Sequence, residues 1–239
     1  DPSQSLGLSI NNKTVDLNEP LNEGDELLIW DFSSPEGKEI FWHSSAHVLA
    51  QAVLRIWPDA QPTIGPPIKE GFYYDFANLT LNPEDFSKIE KEVKKIIKEN
   101  HKPEKSTFNS KADALSAFSH NLYKKEIIED LPDEGPLTAY KQGEFVDLCR
   151  GPHLPNLGKI KSFKILKTAG AYWRGDSNKE MLTRIYAISF PNKEMLQAHL
   201  TLLEEAKKRD HKIIGPKLGL FSLKEEAPGM PFILPKGMR

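Results

Sequence analysis

The sequence predicts an α+β protein in which helices pack on an antiparallel sheet. Two segments, 43–56 and 83–97, repeat apolar residues at helical spacing, and a proline follows the first and opens the second. Three later segments, 143–149, 162–173 and 181–190, read as strands, and the stretch WRGDSNKE between the last two resembles a hairpin turn. This order of helices and hairpin-connected strands is typical of an α+β fold.

The composition is that of a soluble globular protein, with 38% hydrophobic and 28% charged residues in 239 positions. No apolar run approaches the ~18 residues of a membrane span, so we do not expect a membrane protein. The opening DPSQSLGLSI has neither the basic nor the apolar region of a secretion signal. A single cysteine rules out an internal disulfide and fits a reducing compartment, which indicates the cytoplasm.

The first elements are short. Residues 8–32 predict a small β unit with turn signals at Asn11-Asn12 and Gly24-Asp25. This unit is too short to bury a core alone, so it is either an incomplete module or packs on the next segment of the chain. The stretch SSPEGKE (33–39) reads as a linker.

Helices are predicted next. The first begins near His43 and stops at Pro58, and the second has Asn82 as N-cap and Pro83 at its first helical position. A third, shorter helix is predicted over 110–121. The buried stripe of the second helix is predicted to comprise Phe86, Ile89, Val93, Ile96 and Ile97.

The C-terminal region predicts one more helix, from Asn192 to about Asp210. Beyond it, residues 215–239 are punctuated by proline and glycine and read as the start of another domain.

Charge is patchy, although the net charge is only −2. A basic stretch spans 159–184 and a second includes KKRDHK (207–212). Such a local basic face fits a phosphate-bearing ligand, but lysines that merely solvate a surface explain it equally well. The basic residues of the first stretch are Lys159, Lys161, Lys164, Lys167, Arg174, Lys179 and Arg184.

Two pairs of potential ligands or catalysts stand out. His43 and His47 share a helix face ~6 Å apart at Cβ, but Ser44 stands where a zinc protease has its glutamate. Gly151-Pro152 predicts a turn that returns His153 to Cys149. The four side chains could bind zinc, could include a thiolate nucleophile, or could be unrelated core and surface residues.

Other polar residues could share this pocket. Asp147 alternates with Cys149 along a strand, so both side chains face the same side. Asp147 could then orient a histidine or a substrate amine. Tyr123 and Lys124 have the default interpretation of ordinary surface residues.

The stretches HSSAH, IGPPIKEGFYYDF, DLCRGPHLPN and KTAGAYWRGDSN together resemble the N-terminal half of bacterial-type threonyl-tRNA synthetases. The pattern HxxxH plus CxxxH is shared with alanyl-tRNA synthetase editing domains, whereas KTAGAYWRGDSN is more specific to the threonyl enzymes. The resemblance divides the chain into four parts. Residues 1–35 would be a partial ubiquitin-like β-grasp TGS domain, and residues 36–195 an editing domain. Residues 196–214 would be a linker helix, and residues 215–239 the start of a catalytic core. The class II motifs of that core would follow Arg239.

The resemblance also implies the site. The editing pocket of the family corresponds here to His43, His47, Tyr74, Lys124, Asp147, Cys149 and His153. It implies a metal-free pocket that works through water, although zinc remains possible at His43, His47, Cys149 and His153. The zinc, ATP and magnesium of the family belong to the absent core, as do the main contacts of its homodimer. The implied partner is the acceptor end of tRNA(Thr), with no membrane involved.

The implied activity is hydrolysis of mischarged Ser-tRNA(Thr). A site that admits threonine can reject serine, which lacks one methyl group, by only ~1–3 kcal/mol or roughly 10–200-fold. A second site that hydrolyses the smaller product corrects this error. His43 and His47 would position the ribose and the water, Lys124 would stabilise the oxyanion, and Asp147 would hold the α-amino group. The resemblance implies that Cys149 and His153 line the pocket.

Two alternatives stay open. The first is a non-catalytic fragment that binds the tRNA acceptor arm through the basic stretches. The second is a free-standing zinc deacylase, which the unfinished C-terminal tail disfavours.

Overall fold

The N-terminal residues form a small antiparallel sheet in this computed structural model, which describes residues 2–132, 135–225, 227 and 229–238. Its strands are β1 (Gly7–Ile10), β2 (Lys13–Val15) and β3 (Leu27–Trp30), in the order β2-β1-β3. Asn11 and Asn12 have φ of 50° and 66°, which confirms the predicted turn between β1 and β2. At the edge of the sheet, β3 exposes Leu27, Leu28 and Ile29 by 46%, 52% and 67%.

The first helix, α1, runs over Pro35–Ile56 and is longer than predicted. The linker expected at 33–39 is wrong, because Ser34 caps the helix by accepting a hydrogen bond from the N–H of Gly37 at 3.1 Å. Pro35 then occupies the first turn, where its missing N–H costs nothing. Gly37 is required here, since a Cβ would lie 1.7 Å from the carbonyl oxygen of Asp31.

A four-stranded antiparallel sheet forms the centre of the first unit of the chain, Asp1–Asn192. Helix α1 packs against its second and third strands. The indole N–H of Trp42 on α1 donates to the carbonyl of Ser189 at 3.0 Å. The strand order is β4 (Gln61–Pro62), β5 (Phe72–Ala77), β10 (Met181–Phe190) and β9 (Ser162–Tyr172).

The second helix, α2, spans Asp85–Glu99 and packs on β9. It begins two residues later than predicted, because Asn82 does not cap it. Instead, the carboxylate of Asp85 accepts from the backbone N–H of Asn82 at 3.0 Å. Its predicted apolar stripe faces inward, with three members fully buried and Phe86 and Ile97 half-buried. The fully buried members are Ile89, Val93 and Ile96.

A third sheet and two helices follow, where only one helix was predicted. The helix predicted over 110–121 ends earlier, at Ala117. Asn121 then caps a second helix, because its Oδ1 accepts from the N–H groups of Tyr123 and Lys124, both at 3.0 Å. Ala114, Phe118, Ile128 and Ala139 form the local core. The helices are α3 (Lys111–Ala117) and α4 (Leu122–Asp130), and the sheet has the order β6 (Glu104–Phe108), β7 (Leu137–Gln142), β8 (Phe145–Leu148).

The second unit, Lys193–Arg239, opens with helix α5 (Lys193–Lys208), close to its predicted position. A further short helix, α6 (His211–Lys217), is capped by Asp210, whose carboxylate accepts from the N–H of Lys212 at 2.9 Å. A hairpin of β11 (Phe221–Leu223) and β12 (Pro231–Ile233) follows. Within the part of the chain that the structure describes, no helix is long and apolar enough to cross a membrane.

Candidate functional site

Helix α1 presents His43 and His47 one turn apart, with ring centroids 5.0 Å apart. His47 is buried, whereas His43 is half-buried. The two histidines therefore lie on one face of the helix, as their spacing predicts, and both side chains reach one site.

The segment after β8 brings in the second pair. Cys149 follows the strand directly, and Gly151, with φ of +69°, turns the chain so that His153 returns. The Sγ of Cys149 lies 3.2 Å from Nε2 of His153, which confirms the predicted turn. A side chain is not tolerated at Gly151, because a Cβ would lie 2.2 Å from the hydroxyl oxygen of Tyr140.

The two pairs meet in one cluster. Ligand atoms of His43, His47, Cys149 and His153 all lie within 4.8 Å of one another. The ring of His153 is central, with its centroid 4.4 Å from the ring of His43 and 4.4 Å from that of His47.

Ser44, between the two histidines of α1, holds His153 in place. Its Oγ lies 3.1 Å from Nδ1 of His153 and accepts from the backbone N–H of Leu154 at 2.9 Å. Because Leu154 donates to this oxygen, the hydroxyl hydrogen is available to Nδ1. This contact was not predicted, because Ser44 was considered only as the residue that replaces the glutamate of zinc proteases.

A buried ion pair forms the opposite wall. The Nζ of Lys124 lies 2.5 Å from Oδ1 of Asp147, and the hydroxyl of Tyr74 donates to Oδ2. The backbone N–H of Leu148 donates to Oδ1 at 2.8 Å, and Nε2 of His47 lies 3.6 Å from Oδ2. The default interpretation of Lys124 as a surface residue is therefore wrong, since helix α4 directs it inward.

The histidine–cysteine cluster and the ion pair line opposite sides of a pocket of about 440 Å³ that is open to solvent. Its lining includes His43, His47, Lys124, Asp147 and Cys149. Two of the predicted site residues, Tyr74 and His153, are buried behind this wall at 1% and 2% exposure. They touch the wall residues rather than the pocket space.

Burial sets the protonation of the histidines. It lowers the pKa of His43 to about 4, despite the opposing charge of Asp147. Burial, followed by the neighbouring charges of His43 and Lys124, also lowers the pKa of His47 well below its ordinary value. The pKa of His153 is well below its ordinary value because of burial and the charges of His43 and His47. All three imidazoles are therefore neutral near pH 7.

The thiol and the phenol stay protonated. Burial, reinforced by Asp147, raises the pKa of Cys149 far above its ordinary value. The same two causes raise the pKa of Tyr74 well above its ordinary value. A protonated thiol is a poor nucleophile, and a protonated phenol can donate to the carboxylate.

The donor set of the cluster fits zinc. Three imidazoles and one thiol are among the ligand types that tetrahedral zinc takes. The Nδ1 of His47 is buried with no hydrogen-bond partner among the described residues, whereas Ser44 holds the second nitrogen of His153. Zinc, if bound, would supply Lewis acidity beside the pocket.

The basic stretch 159–184 is largely paired with carboxylates. Lys164 lies 3.0 Å from Glu90, and Arg184 binds Asp75 through two contacts of 2.7 and 2.8 Å. Arg174 and Lys179 both contact Glu126. By contrast, Arg150 is exposed at the pocket mouth, and no ion pair to it is found within the described ranges. Arg150, a cation suited to a phosphate, was not among the residues predicted for the site.

The fold and this pocket define a class of protein. Residues 137–186, which run from β7 into β10 and contain Asp147, Cys149 and His153, match the family model "Threonyl and Alanyl tRNA synthetase second additional domain".

Threonine–tRNA ligases of bacteria are among the proteins most similar to this chain. The chain is 68% identical over 237 residues to the threonine–tRNA ligase of Protochlamydia amoebophila, which covers 99% of this chain and 36% of that protein. It is 56% identical to the enzyme of Chlamydia caviae over 97% of the chain and 50% identical to that of Carboxydothermus hydrogenoformans over 98%, covering 36% and 37% of those proteins. The chain thus spans about a third of the length of these relatives. Almost the whole chain is therefore similar to a part of bacterial threonine–tRNA ligases, and the domain model matched by residues 137–186 is one described for threonyl- and alanyl-tRNA synthetases.

Proposed function

We propose that this pocket hydrolyses the ester that joins serine to tRNA(Thr), so that the chain serves proofreading in an enzyme that attaches threonine. One observation carries the proposal. Neutral His43 and His47 share an open pocket with the ion pair of Lys124 and Asp147. This arrangement provides hydrogen-bond acceptors, a cation and a carboxylate, which are the groups that ester hydrolysis needs.

The histidines act on the ribose and the water. A neutral imidazole offers one N–H donor and one acceptor nitrogen, so it can hold a hydroxyl group and a water together. His43, at the pocket wall, binds the terminal ribose, and His47 orients the attacking water. Water adds to the ester carbonyl, and its proton passes to the departing ribose oxygen as the C–O bond breaks.

The ion pair acts on the aminoacyl group. Lys124 offers its remaining N–H groups to the oxygen that becomes negative during attack. Asp147 already accepts from Lys124, Leu148 and Tyr74, and its remaining lone pairs accept from the α-amino group of the substrate.

The buried residues position these groups. Tyr74 fixes the carboxylate of Asp147 by donating to it. His153 supports Cys149 from behind, and the thiol forms the wall against which the substrate side chain lies. The additional methyl group of threonine would press on this wall, so serine fits and threonine is displaced from the water.

The first test is deacylation of Ser-tRNA(Thr) and Thr-tRNA(Thr) by the full chain. We expect the serine ester to be hydrolysed and the threonine ester to persist. His43→Ala is expected to lower kcat about 100-fold, the loss typical of misplaced reactants. His101→Ala is the matched control, because His101 is half-buried and contacts Glu99 at 3.0 Å outside the pocket. Wild-type rates in His43→Ala would contradict the proposal.

The alternative function is binding of the tRNA acceptor arm without turnover. The ion pairs at Lys164, Arg174, Lys179 and Arg184 leave fewer free cations for it than the sequence alone indicated. Tight tRNA binding with no loss of either ester would favour this alternative.

The domain assignments remain part of the proposal. Residues 1–35 would be a partial TGS domain, 36–195 the editing domain, 196–214 the linker helix and 215–239 the start of the catalytic core. We also propose that the protein works in the cytoplasm, on the acceptor end of tRNA(Thr).

A further inference from the structure

The small N-terminal sheet reaches into the pocket region through one side chain. Asp16 follows β2 directly and is half-buried. Its Oδ1 accepts from the backbone N–H of His153 at 2.8 Å, and its Oδ2 accepts from the hydroxyl of Tyr140 at 2.5 Å. The two donors lie 137 and 124 residues away in the sequence.

Both contacts act on the turn that carries Cys149 and His153. The ring of Tyr140 packs on the ring of His153 with centroids 4.3 Å apart. The same phenol fills the space beside Gly151 that a Cβ would need. Asp16 therefore holds the backbone of His153 directly and the ring of His153 through Tyr140.

The ring of His153 is also held from α1 by Ser44. The backbone N–H of His153 has a different partner, the carboxylate of Asp16. Without that carboxylate, Tyr140, which is 2% exposed, would have to find a new acceptor for its hydroxyl. Leaving such a buried donor unsatisfied is costly, so both Tyr140 and the turn would shift.

We propose that Asp16 is a positioning residue for the editing pocket, so that the N-terminal sheet forms part of the site. This inference rests on the proposed function. Asp16 touches no reacting atom and acts by keeping His153, and through it the Cys149 wall, in register with α1. A displacement of about 1 Å at such a wall can cost up to about 100-fold in rate.

The test uses the full chain and three variants. Asp16→Ala removes both acceptors. Asp16→Asn keeps an oxygen for the N–H of His153 but places an amide N–H beside the oxygen of Tyr140, so the hydroxyl hydrogen of Tyr140 loses its acceptor. Glu23→Ala is the matched control, because Glu23 is an exposed acid of the same small sheet region.

We expect Asp16→Ala to lower kcat for Ser-tRNA(Thr) at least about 10-fold with KM nearly unchanged. Asp16→Asn should lose clearly less than Asp16→Ala, because it keeps the acceptor for the N–H of His153, and Glu23→Ala should equal wild type. Three results would overturn the inference, namely an unchanged kcat in Asp16→Ala, an equal loss in Asp16→Asn, or an equal loss in Glu23→Ala. Tyr140→Phe, which removes one of the two bonds and keeps the shape, replaces Asp16→Ala if that variant fails to fold.

A second readout is independent of tRNA. Cys149 is the only cysteine of the chain, so its alkylation by a thiol reagent reports on this turn alone. We expect alkylation to be several-fold faster in Asp16→Ala than in wild type or Glu23→Ala. If the wild-type chain shows no deacylation, the proposed function fails while this comparison still decides the role of Asp16, and equal alkylation rates would refute it.

Discussion

Lys124 and Asp147 form an ion pair in the protein interior, with Nζ and Oδ1 2.5 Å apart and side-chain exposures of 5% and 4%. A buried pair of this kind adds little net stability, because desolvation offsets the attraction. Removing one partner is different, since the other charge remains buried without compensation. The pair therefore makes the pocket sensitive to single changes.

Lys124→Met is expected to destabilise the first unit by about 3–5 kcal/mol and to abolish deacylation. The double variant Lys124→Met/Asp147→Asn should recover most of the stability without recovering activity. Urea unfolding followed by tryptophan fluorescence measures this, because all four tryptophans lie before residue 193. Lys88→Met removes an exposed lysine that pairs with Asp85, and this change should cost less than about 1 kcal/mol. A double variant as unstable as the single one would refute this account.

Ser44→Ala removes the group that holds the ring of His153 and the N–H of Leu154. We expect a loss of about 1–3 kcal/mol of stability and a lower kcat for Ser-tRNA(Thr). Ser45→Ala is the matched control, because Ser45 is equally buried but bonds to Phe41 and Ser189 instead. Ser45→Ala should lose similar stability while keeping its kcat. Equal kcat losses in the two variants would show that Ser44 has no special role.

Stability should fall as the pH drops from about 6.5 toward 4. The folded pKa of His43 is about 4, and those of His47 and His153 are also lowered, so in this range the unfolded chain binds more protons than the folded one. Each such proton contributes up to about 1.4 kcal/mol per pH unit. The free energy of unfolding at pH 5 and pH 7 measures this slope. His153→Gln should reduce it, and His211→Gln, at an exposed position, should not.

Cys149→Ala should retain deacylation within about 10-fold, because a thiol with a raised pKa is not the nucleophile. A strong chelator should likewise leave the rate unchanged if water attacks without a metal. Metal analysis of the purified chain, and the sulfur-to-cobalt absorption band after addition of Co²⁺, test the cluster independently of activity. Loss of activity in Cys149→Ala would contradict the conclusion that the thiol is not the nucleophile, and recovery of activity by zinc after chelation would contradict a metal-free mechanism.

The geometry within each residue pair of the site could be predicted because each pair is local in the sequence. His43 and His47 are four positions apart on one helix, and the turn at Gly151 returns His153 to Cys149. Whether these two pairs would meet could not be read from spacing, since it depends on how α1 packs against the segment after β8.

Other parts of the fold lacked a sequence signal. Four of the five residues of β6 are exposed, so its sequence EKSTF has no apolar alternation, and its pairing with β7 defines the strand. Lys124 points inward because Asn121 caps the helix that carries it. Asn121 lies in a polar stretch whose sequence also resembles a loop, so this helix start was not predicted. Ser34, Pro35 and Glu36 form a sequence typical of a helix N-terminus. The glycine that follows them favoured the interpretation as a linker.

The free edge of β3 has a consequence for handling the chain in the laboratory. Leu27, Leu28 and Ile29 are exposed on both faces of β3, which is an edge strand of its sheet within the described part of the chain. Such an edge can template the addition of another strand, so concentrated stocks should gradually form aggregates. Turbidity should rise steeply with protein concentration, and Ile29→Lys, a charge at the most exposed position, should delay it.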